Sequence, residues 1–454
     1  MKKNDTIKAA RKDTHGMNMI VLHTKPYPCG GNCRYCFSGD GINNGMLFSE
    51  TLVHARNADW SPTEQLRHGM EILNLSCPTG NKFSIPIKGD SFTNHPIEYL
   101  EAFFTEIYDF FSMETSRSLD EARKKYDAAQ NQCMFISVST RPDMITEQWC
   151  IDLIRLGVSS VELGVQNLCD TVLAFNNRGH GSDAVIKATR LLKEYGFEVG
   201  YHMMPGLPSA TLEIDAANYI RWLWEDIFYP DYIKFYPCVL LKDTDMQPEL
   251  LELLDSGQWE PLTDESYPKL LDEVLPHIPR SVFISRFQRI IPEEYIAYGP
   301  AKYINRSDYN NLNLCIAQRS FQHTAHMNEP FSKLHYHLED VAQGRDICIQ
   351  ALLPDDTVVG YLRLSFLDEL AMVRNVRVLG YPFVFNDDRN TQVGCIQHCG
   401  IGKALLNRAE LVAKEQDLKG IRIYPAPGTK GYFIKRGYRV NSNSFLIKRF
   451  EGEQ

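Results

Sequence analysis

The feature that most constrains the fold is a repeating alternation of short apolar runs with helical stretches between Met19 and Phe287. Met19–Leu22, Phe83–Phe92, Met134–Ser139, Val158–Val165, Phe197–Met203, Ile233–Pro237 and Val282–Phe287 read as strands. Each is apolar, rich in β-branched and aromatic residues, and bounded by turn residues. Ser61–Leu75 has helical spacing, with Ser61 and Pro62 placed as N-cap and first helical residue, and another helix follows Asp170. Strands alternating with helices at this repeat dictate a parallel sheet with helices outside, whose ligands sit at the carboxyl ends of the strands. Polar or glycine-bearing turns fall at those ends: Gly89-Asp90-Ser91, Arg141-Pro142-Asp143 and Pro205-Gly206-Leu207-Pro208.

Just after the first run comes Cys29-Gly30-Gly31-Asn32-Cys33-Arg34-Tyr35-Cys36-Phe37, with cysteines spaced C-x3-C-x2-C. Thiolates at this spacing can wrap a loop around a cubane cluster and bind three of its four irons, leaving the fourth open for a ligand. Gly30 and Gly31 let the backbone approach closely. The alternatives are a structural zinc site, which usually wants a fourth Cys or His close by, and a chance grouping in a chain of 12 cysteines.

The remaining cysteines are scattered, which argues for a reducing, cytoplasmic setting and against a disulfide framework. No apolar run approaches the length of a membrane span, and the basic start lacks the apolar stretch of a secretory signal. A formal net charge of −9 does not suit an obvious nucleic-acid binder, so an RNA site would be a local basic patch. Residues 1–18, with Lys2, Lys3, Lys8, Arg11 and Lys12, read as a polar arm, either solvated or contacting phosphates.

Between Arg289 and Gln343 the pattern breaks up into a Tyr-, Asn- and His-rich connection. From Asp346 it becomes long antiparallel strands, Asp346–Leu353, Thr357–Leu367 and Ala371–Leu379. Gln397-His398-Cys399-Gly400-Ile401-Gly402 then opens an amphipathic helix to about Gln416, followed by a strand at Ile421–Tyr424 and a short helix at Tyr432. Amide groups of such a glycine turn, with the helix N-terminus, suit a pyrophosphate.

The cysteine spacing is the signature of the radical S-adenosylmethionine (SAM) enzymes, and the chain resembles that superfamily at Cys29–Cys36. Gln397-x-x-Gly400-x-Gly402, with Gly431-Tyr432 and Gly437-Tyr438 beyond it, resembles the acetyl-CoA loop of the GCN5-related N-acetyltransferases. The two together resemble the catalytic subunit of Elongator and its single-chain bacterial and archaeal homologues. Ser139–Asp143, Glu162–Gln166, Asn177–His180, His202–Pro208, Lys234–Pro237 and Arg286–Arg289 resemble that family's segments in order, so the resemblance runs from Val21 to Arg439. It implies an α/β fold: a radical SAM partial (β/α) barrel followed by a GCN5-related N-acetyltransferase α+β domain. The expected division is an arm at 1–18, the barrel at 19–288, a connecting region at 289–343 and the acetyltransferase-like domain at 344–454.

The resemblance further implies a transferase that forms a 5-carboxymethyl-type uridine at the tRNA wobble position. A deoxyadenosyl radical would take hydrogen from the methyl group of acetyl-CoA, and the carbon would add to C5 of the base. The implied partners are the tRNA anticodon loop, acetyl-CoA and an electron donor such as flavodoxin or ferredoxin, with a homodimer left open. The implied cofactors are a [4Fe-4S] cluster on Cys29, Cys33 and Cys36, and SAM. Gly89, Asp90 and Ser91 fall where the family holds the SAM amino group, and Glu162 and Gln166 would face its ribose or methionine. Gln397, Gly400 and Gly402 would hold CoA, and Tyr432 would approach the thioester. Arg178 and His180 would lie near the substrate, and Lys234 would meet a phosphate or carboxylate, or else pair inside the barrel. His202 reads as a core histidine.

The chain departs from the family in having Ser139 and Asn375 where acids are expected, and Phe433 in a Tyr-Tyr pair. Neither Asn nor Phe can act as a general base, so ordinary amine acetylation is not expected. Of the family's zinc segment only Cys315 is kept, with His323 and His326 nearby, so zinc is not expected. The competing readings are an acyl-CoA-dependent radical enzyme acting on a small molecule or peptide, and an acetyltransferase half that serves only as a binding module.

Overall fold

The structure, a computed structural model, describes residues 17–37, 49–76, 82–89, 91–128, 133–225, 227–243, 245, 247–289, 291–304, 309, 316, 319, 334–341, 345–379, 400–441 and 444–450. Asp90, Cys315, His323, His326 and Gln397 lie outside the described residues.

The first half builds a parallel half-barrel. Its strands are β1 (Asn18–Met19), β2 (Leu22–His23), β3 (Lys82–Lys88), β4 (Cys133–Thr140), β5 (Ser160–Gln166), β6 (Glu198–Met203), β7 (Tyr232–Phe235) and, after β8 (Leu240–Leu241), β9 (Phe283–Arg286). β1 and β2 both lie on β3, and from there each strand pairs in parallel with the next in the order β3-β4-β5-β6-β7-β9. Parallel neighbours require crossovers, and helices supply them on the outer face. Ser61 accepts a hydrogen bond from the Glu64 amide at the start of helix Pro62–Ile72, with Pro62 in its first turn. Helix Ile97–Ser112 buries Leu100, Phe103, Phe104, Ile107 and Phe111, a 3.6-residue stripe that meets Phe83 of β3 through Phe111 at 4.9 Å between rings. β8 pairs antiparallel with β10 (Ile296–Tyr298) in a small separate ribbon. Among the described residues no helix is long and apolar enough to cross a membrane.

The second half is a mixed sheet of β11 (His335–Asp340), β12 (Asp346–Leu352), β13 (Val358–Leu367), β14 (Leu370–Val378), β15 (Gly420–Ile423), β16 (Arg439–Val440) and β17 (Leu446–Arg449). Every pairing is antiparallel except β14 with β15, which the helix Ile401–Glu415 connects as a crossover. β11 lies in the stretch that reads as a connection in the sequence. It is an edge strand with no fully buried residue, so its His, Tyr, Glu and Asp side chains hide the alternation.

One face of this sheet packs on its own helix through Ile349, Leu362, Leu364, Val373, Leu405 and Val412. The other face joins the barrel core: Cys348, Leu352, Val358, Tyr361 and Met372 belong to the same apolar cluster as the barrel strands. Charged groups cross this contact. Asp231, just before β7, pairs with Arg374 and lies 3.4 Å from Arg363, while Asp346 meets Lys193 at 2.8 Å and Arg374 at 3.5 Å. Glu198 receives Asn375 at 2.8 Å and Arg377 at 3.0 Å. The two halves are thus held by a common core and by buried charge.

Candidate active site

The cysteine loop follows β2 at the carboxyl end of the barrel, and Cys29, Cys33 and Cys36 are all half-buried there. The amide of Cys36 bonds to the Cys33 carbonyl at 3.0 Å, and the Gly31 amide points at the Cys29 sulfur at 3.4 Å. Gly30 takes a left-handed φ of 67°. A Cβ on Gly31 would lie 2.5 Å from Nη1 of Arg141, so the loop closes against that guanidinium only because no side chain is there. Arg178 Nη1 lies 3.5 Å from the Cys33 sulfur and its Nη2 donates to the Gly164 carbonyl. Arg141 clamps Asp143 with two bonds of 3.0 and 2.8 Å.

Among the described residues, Arg141 Nη1, Arg178 Nε, His180 Nε2 and Gln166 Oε1 are buried without hydrogen-bond partners. Orphaned buried polar atoms call for an explanation, and a missing polar or anionic group is one. Burial and Arg178 push His180 down to about 4, so its imidazole is neutral at pH 7. Three thiols, two guanidinium groups beside them and unpaired donors around them fit an anionic iron–sulfur cluster with a polar ligand. Among the described residues no three His, Cys, Asp or Glu side chains gather around one ion-sized point. Cysteines that serve separate irons of a cubane do not need to converge in that way.

β3, β4, β5, β6, β7 and β9 carry Lys88, Ser139, Glu162, His202, Lys234 and Arg286, all but Glu162 at or next to the carboxyl end of the strand. Ser139 is the register partner of Glu162, His202 of Lys234, and Lys234 of Arg286. Glu162 is the hub. Its Oε1 accepts from Lys234 and from Tyr232 at 3.2 Å, and its Oε2 from His202 at 2.7 Å, Ser139 at 3.1 Å and Lys88 at 3.4 Å. Burial alone would raise its pKa, but Lys234 and Lys88 outweigh burial and hold the carboxyl well below its usual range. Burial drives His202 down to about 4 despite the carboxylate beside it. His202 is therefore a member of this ring rather than an apolar core histidine.

The ends of β3 and β4 hold a hydroxyl group of contacts. Ser91 meets Thr140 at 3.1 Å and Thr93 meets Thr140 at 2.5 Å. Gly89 packs against Thr24, whose Oγ1 would be 2.4 Å from an added Cβ. Gln166 ends β5 with φ 72°.

In the second sheet, β14 and β15 pair only over Leu370–Val373 and Gly420–Ile423, and β14 runs on to Val378 beyond that pairing. β15 ends at Ile423, and beside the unpaired end of β14 lies the N-terminus of helix Ile401–Glu415, where Gly402 approaches Val378. Gly400 caps the helix with φ 88°. A Cβ on Gly402 would sit 3.1 Å from the Tyr432 hydroxyl and 3.6 Å from Val378, so all three line one mouth. Burial raises the Tyr432 hydroxyl above its ordinary range, against the pull of Arg436, whose guanidinium carbon stacks 3.5 Å from the ring centre. Asn375 points away from this mouth, into the interface at Glu198.

Sequence reasoning overlooked Lys88 and Tyr236. Lys88 closes β3 on the face opposite Phe83, Ile85 and Ile87, which turn toward the outer helix, so plain strand alternation points it into the barrel. Tyr236 stands edge-on to His202 at 5.0 Å, just past β7.

Residues 27–220 match the Radical SAM superfamily, and residues 230–313 match the Radical_SAM C-terminal domain. The chain is 28% identical to the tRNA uridine(34) acetyltransferase of Methanocaldococcus infernus over 456 residues, covering 93% of this chain and 84% of that protein. It is also 28% identical to human Elongator complex protein 3, covering 95% and 84% respectively. The solved structure of the archaeal Methanocaldococcus infernus Elp3 lacking its N-terminus (1–46) superposes with a TM-score of 0.78 at 27% identity, covering 96% of this chain and 99% of that one.

Proposed function

Because this chain is a radical SAM homologue of Elongator complex protein 3, we propose that it is a transferase that modifies the wobble uridine of tRNA. In this reading the donor is acetyl-CoA and the product a 5-carboxymethyl-type uridine. C5 of uracil is a poor site for polar chemistry, and an anticodon loop offers a base that leaves its stack at low cost. When bound on the three thiolates, a [4Fe-4S] cluster with SAM supplies a deoxyadenosyl radical that can take hydrogen from the acetyl methyl group.

The chain's own residues do the rest. Cys29, Cys33 and Cys36 hold the cluster, and Arg178 and Arg141 offset its negative charge. Ser91, Gly89 and Gln166 orient SAM at the ends of β3 and β5. Neutral His180 offers a lone pair or an N–H without introducing charge. Gly400, Gly402 and the helix N-terminus cradle the CoA pyrophosphate. The Tyr432 hydroxyl, held protonated, donates toward the thioester carbonyl. With Asn375 engaged at Glu198, β14 offers no general base there, which favours carbon transfer over amine acetylation.

The observation that carries the reading is the set of buried, unpartnered polar atoms around the cysteine loop of a barrel whose core continues into the second sheet, on which the helix carrying Gly402 packs. The test is mass spectrometry of tRNA nucleosides from cells with and without the gene. Loss of a modified wobble uridine is expected, and an unchanged set would overturn the reading. A non-tRNA acyl acceptor is the second reading, favoured by the net charge of −9. It would gain from the same null result.

A further inference from the structure

The turns that follow β5 and β6 are tied to each other by one buried polar knot. Asp215, in the first turn of helix Leu212–Ile220, is 1% exposed, as are Asn167 just past β5 and Asn218 one turn along the same helix. Asp215 Oδ2 accepts the Gly206 amide at 2.6 Å, and its Oδ1 accepts Nδ2 of Asn167 at 3.4 Å. Backbone groups fix which way both side-chain amides face. The Leu168 amide donates to Asn218 Oδ1 at 2.8 Å, so Asn218 presents its Nδ2 to Asn167 Oδ1 at 3.1 Å. The Cys169 amide donates to that same Oδ1 at 2.9 Å, so Asn167 has only an N–H left for Asp215. Both neighbours of the carboxyl are therefore donors, and its ionised form, an acceptor at both oxygens, satisfies them. A proton on the carboxyl finds no acceptor among these partners.

Both turns lead to the cysteine loop and its surroundings. Gly206 is held from its other side by Trp259, whose Nε1 donates to the Gly206 carbonyl at 2.9 Å. Two residues on, the Pro208 carbonyl accepts Nδ2 of Asn176 at 2.8 Å, and the Asn176 carbonyl accepts the amide of Arg34, inside the cysteine loop, at 3.2 Å. Leu207 packs in the same apolar cluster as Tyr35 of that loop. On the other turn, Asn167 follows Gln166, whose carbonyl accepts the Met204 amide at 2.7 Å and whose Oε1 is buried without a hydrogen-bond partner. We infer that Asp215 is a positioning residue for SAM: as a carboxylate it locks the turns after β5 and β6 together, and with them Gln166 and the cysteine loop, in the arrangement that receives the cofactor. This rests on the reading that SAM binds at these strand ends. Burial raises the Asp215 carboxyl to about 7, although the Gly206 amide pulls it down, and no cation offsets the burial. The ionisable groups that face it are Tyr219 on its own helix, Tyr267 on helix Ser266–Val274 and Cys238 past β7, all held protonated and neutral by burial. The lock therefore tightens as pH rises through 7 and loosens below it.

The test uses the full-length protein with its cluster reconstituted anaerobically. Hydrogen exchange read by mass spectrometry, corrected for the intrinsic effect of pH, should show residues 166–169 and 204–208 better protected at pH 8 than at pH 6. SAM affinity should fall roughly tenfold over the same interval, as the ionised fraction falls. His23, His95, His180 and His202 are held at about 4 by burial and stay neutral throughout. Asp215→Asn sets one buried donor against another, so it should bind SAM roughly tenfold more weakly than wild type at pH 8 and show no step between pH 8 and 6. Adding Asn167→Asp to Asp215→Asn turns the pair round, with the new amide donating to the new carboxylate, and should restore most of the affinity at pH 8. SAM affinity indifferent to both pH and Asp215→Asn, or no recovery in the double variant, would overturn the inference and leave the functional reading standing. A cluster-loaded wild type that binds no SAM at either pH would overturn that reading and the inference with it.

Discussion

Asp231→Ala tests how the two halves are held together. Asp231 lies in the interface with 1% of its side chain exposed, as do Arg363 and Arg374. Its carboxylate pairs with Arg374, stands 3.4 Å from Arg363 and accepts the Val199 amide at 2.8 Å. Around it the cations Lys193, Arg363 and Arg374 meet the carboxylates of Asp231 and Asp346. Removing Asp231 leaves two buried guanidinium groups and the partly buried Lys193 against one acid, and an amide without its acceptor. Breaking a buried pair in this way costs about 3–5 kcal/mol, and the orphaned amide places the variant toward the upper end. That is a large share of the ~5–15 kcal/mol by which folded proteins are stable. All five tryptophans lie between Trp60 and Trp259, so urea titration followed by tryptophan fluorescence reports the barrel half. The midpoint should fall sharply for Asp231→Ala and hardly at all for Arg190→Ala, an exposed pair with Glu194. In an Arg374→Met background the cost of Asp231→Ala should shrink by about 0.5–3 kcal/mol, because one stranded charge is gone. A loss no greater than that of Arg190→Ala, or one equal in both backgrounds, would refute the claim that this charge network fastens the halves.

Three further outcomes are expected. Glu162, Asp231 and Asp346 all have carboxyls held below their usual range, so their stabilisation is complete above about pH 4 and is lost as pH falls through their folded values. His23, His95 and His202 are lowered to about 4 by burial, so the protein should lose stability from about pH 6.5 downward. A melting temperature flat from pH 7 to 4.5 would contradict the histidine assignment, and one flat below pH 4 the carboxylate assignment; His202→Gln should flatten part of the slope above pH 4.5. Gly402→Ala should crowd the Tyr432 hydroxyl and weaken CoA binding roughly tenfold by calorimetry, with Tyr432→Phe partly restoring it; unchanged affinity would remove the mouth from the CoA site. Cys33→Ser should abolish the visible iron–sulfur absorbance after anaerobic reconstitution, and retention of the full spectrum would show that the loop is not the cluster site.

Much of the architecture was legible because its causes are local. The Ser61-Pro62 start, the stripe of helix Ile97–Ser112 and the runs that became β3 to β7 depend on residues within one or two turns of each other. The run Met19–Leu22 appears instead as parts of β1 and β2, two short contacts on β3, between which the Ile20 N–H donates a hydrogen bond to the Ser84 carbonyl at 3.0 Å. β11 was missed because an edge strand buries little. Asn375 reads from the sequence as the place of an absent base, whereas its side chain serves Glu198 across the interface.

The sequence by itself determined the parallel sense of the barrel sheet, the single loop that carries three cysteines, and the glycine turn that opens the crossover helix. Each follows from spacing along a short segment. Only the tertiary structure decided that Lys88, Ser139, His202 and Lys234 meet on Glu162, with Arg286 beside Lys234 in register, and that Asp231 and Glu198 bind the face of a second sheet. Those residues are far apart in the chain, and each alone reads as an ordinary polar strand residue. Their charges acquire a partner, or lack one, only when strand stagger and sheet packing remove water from between them.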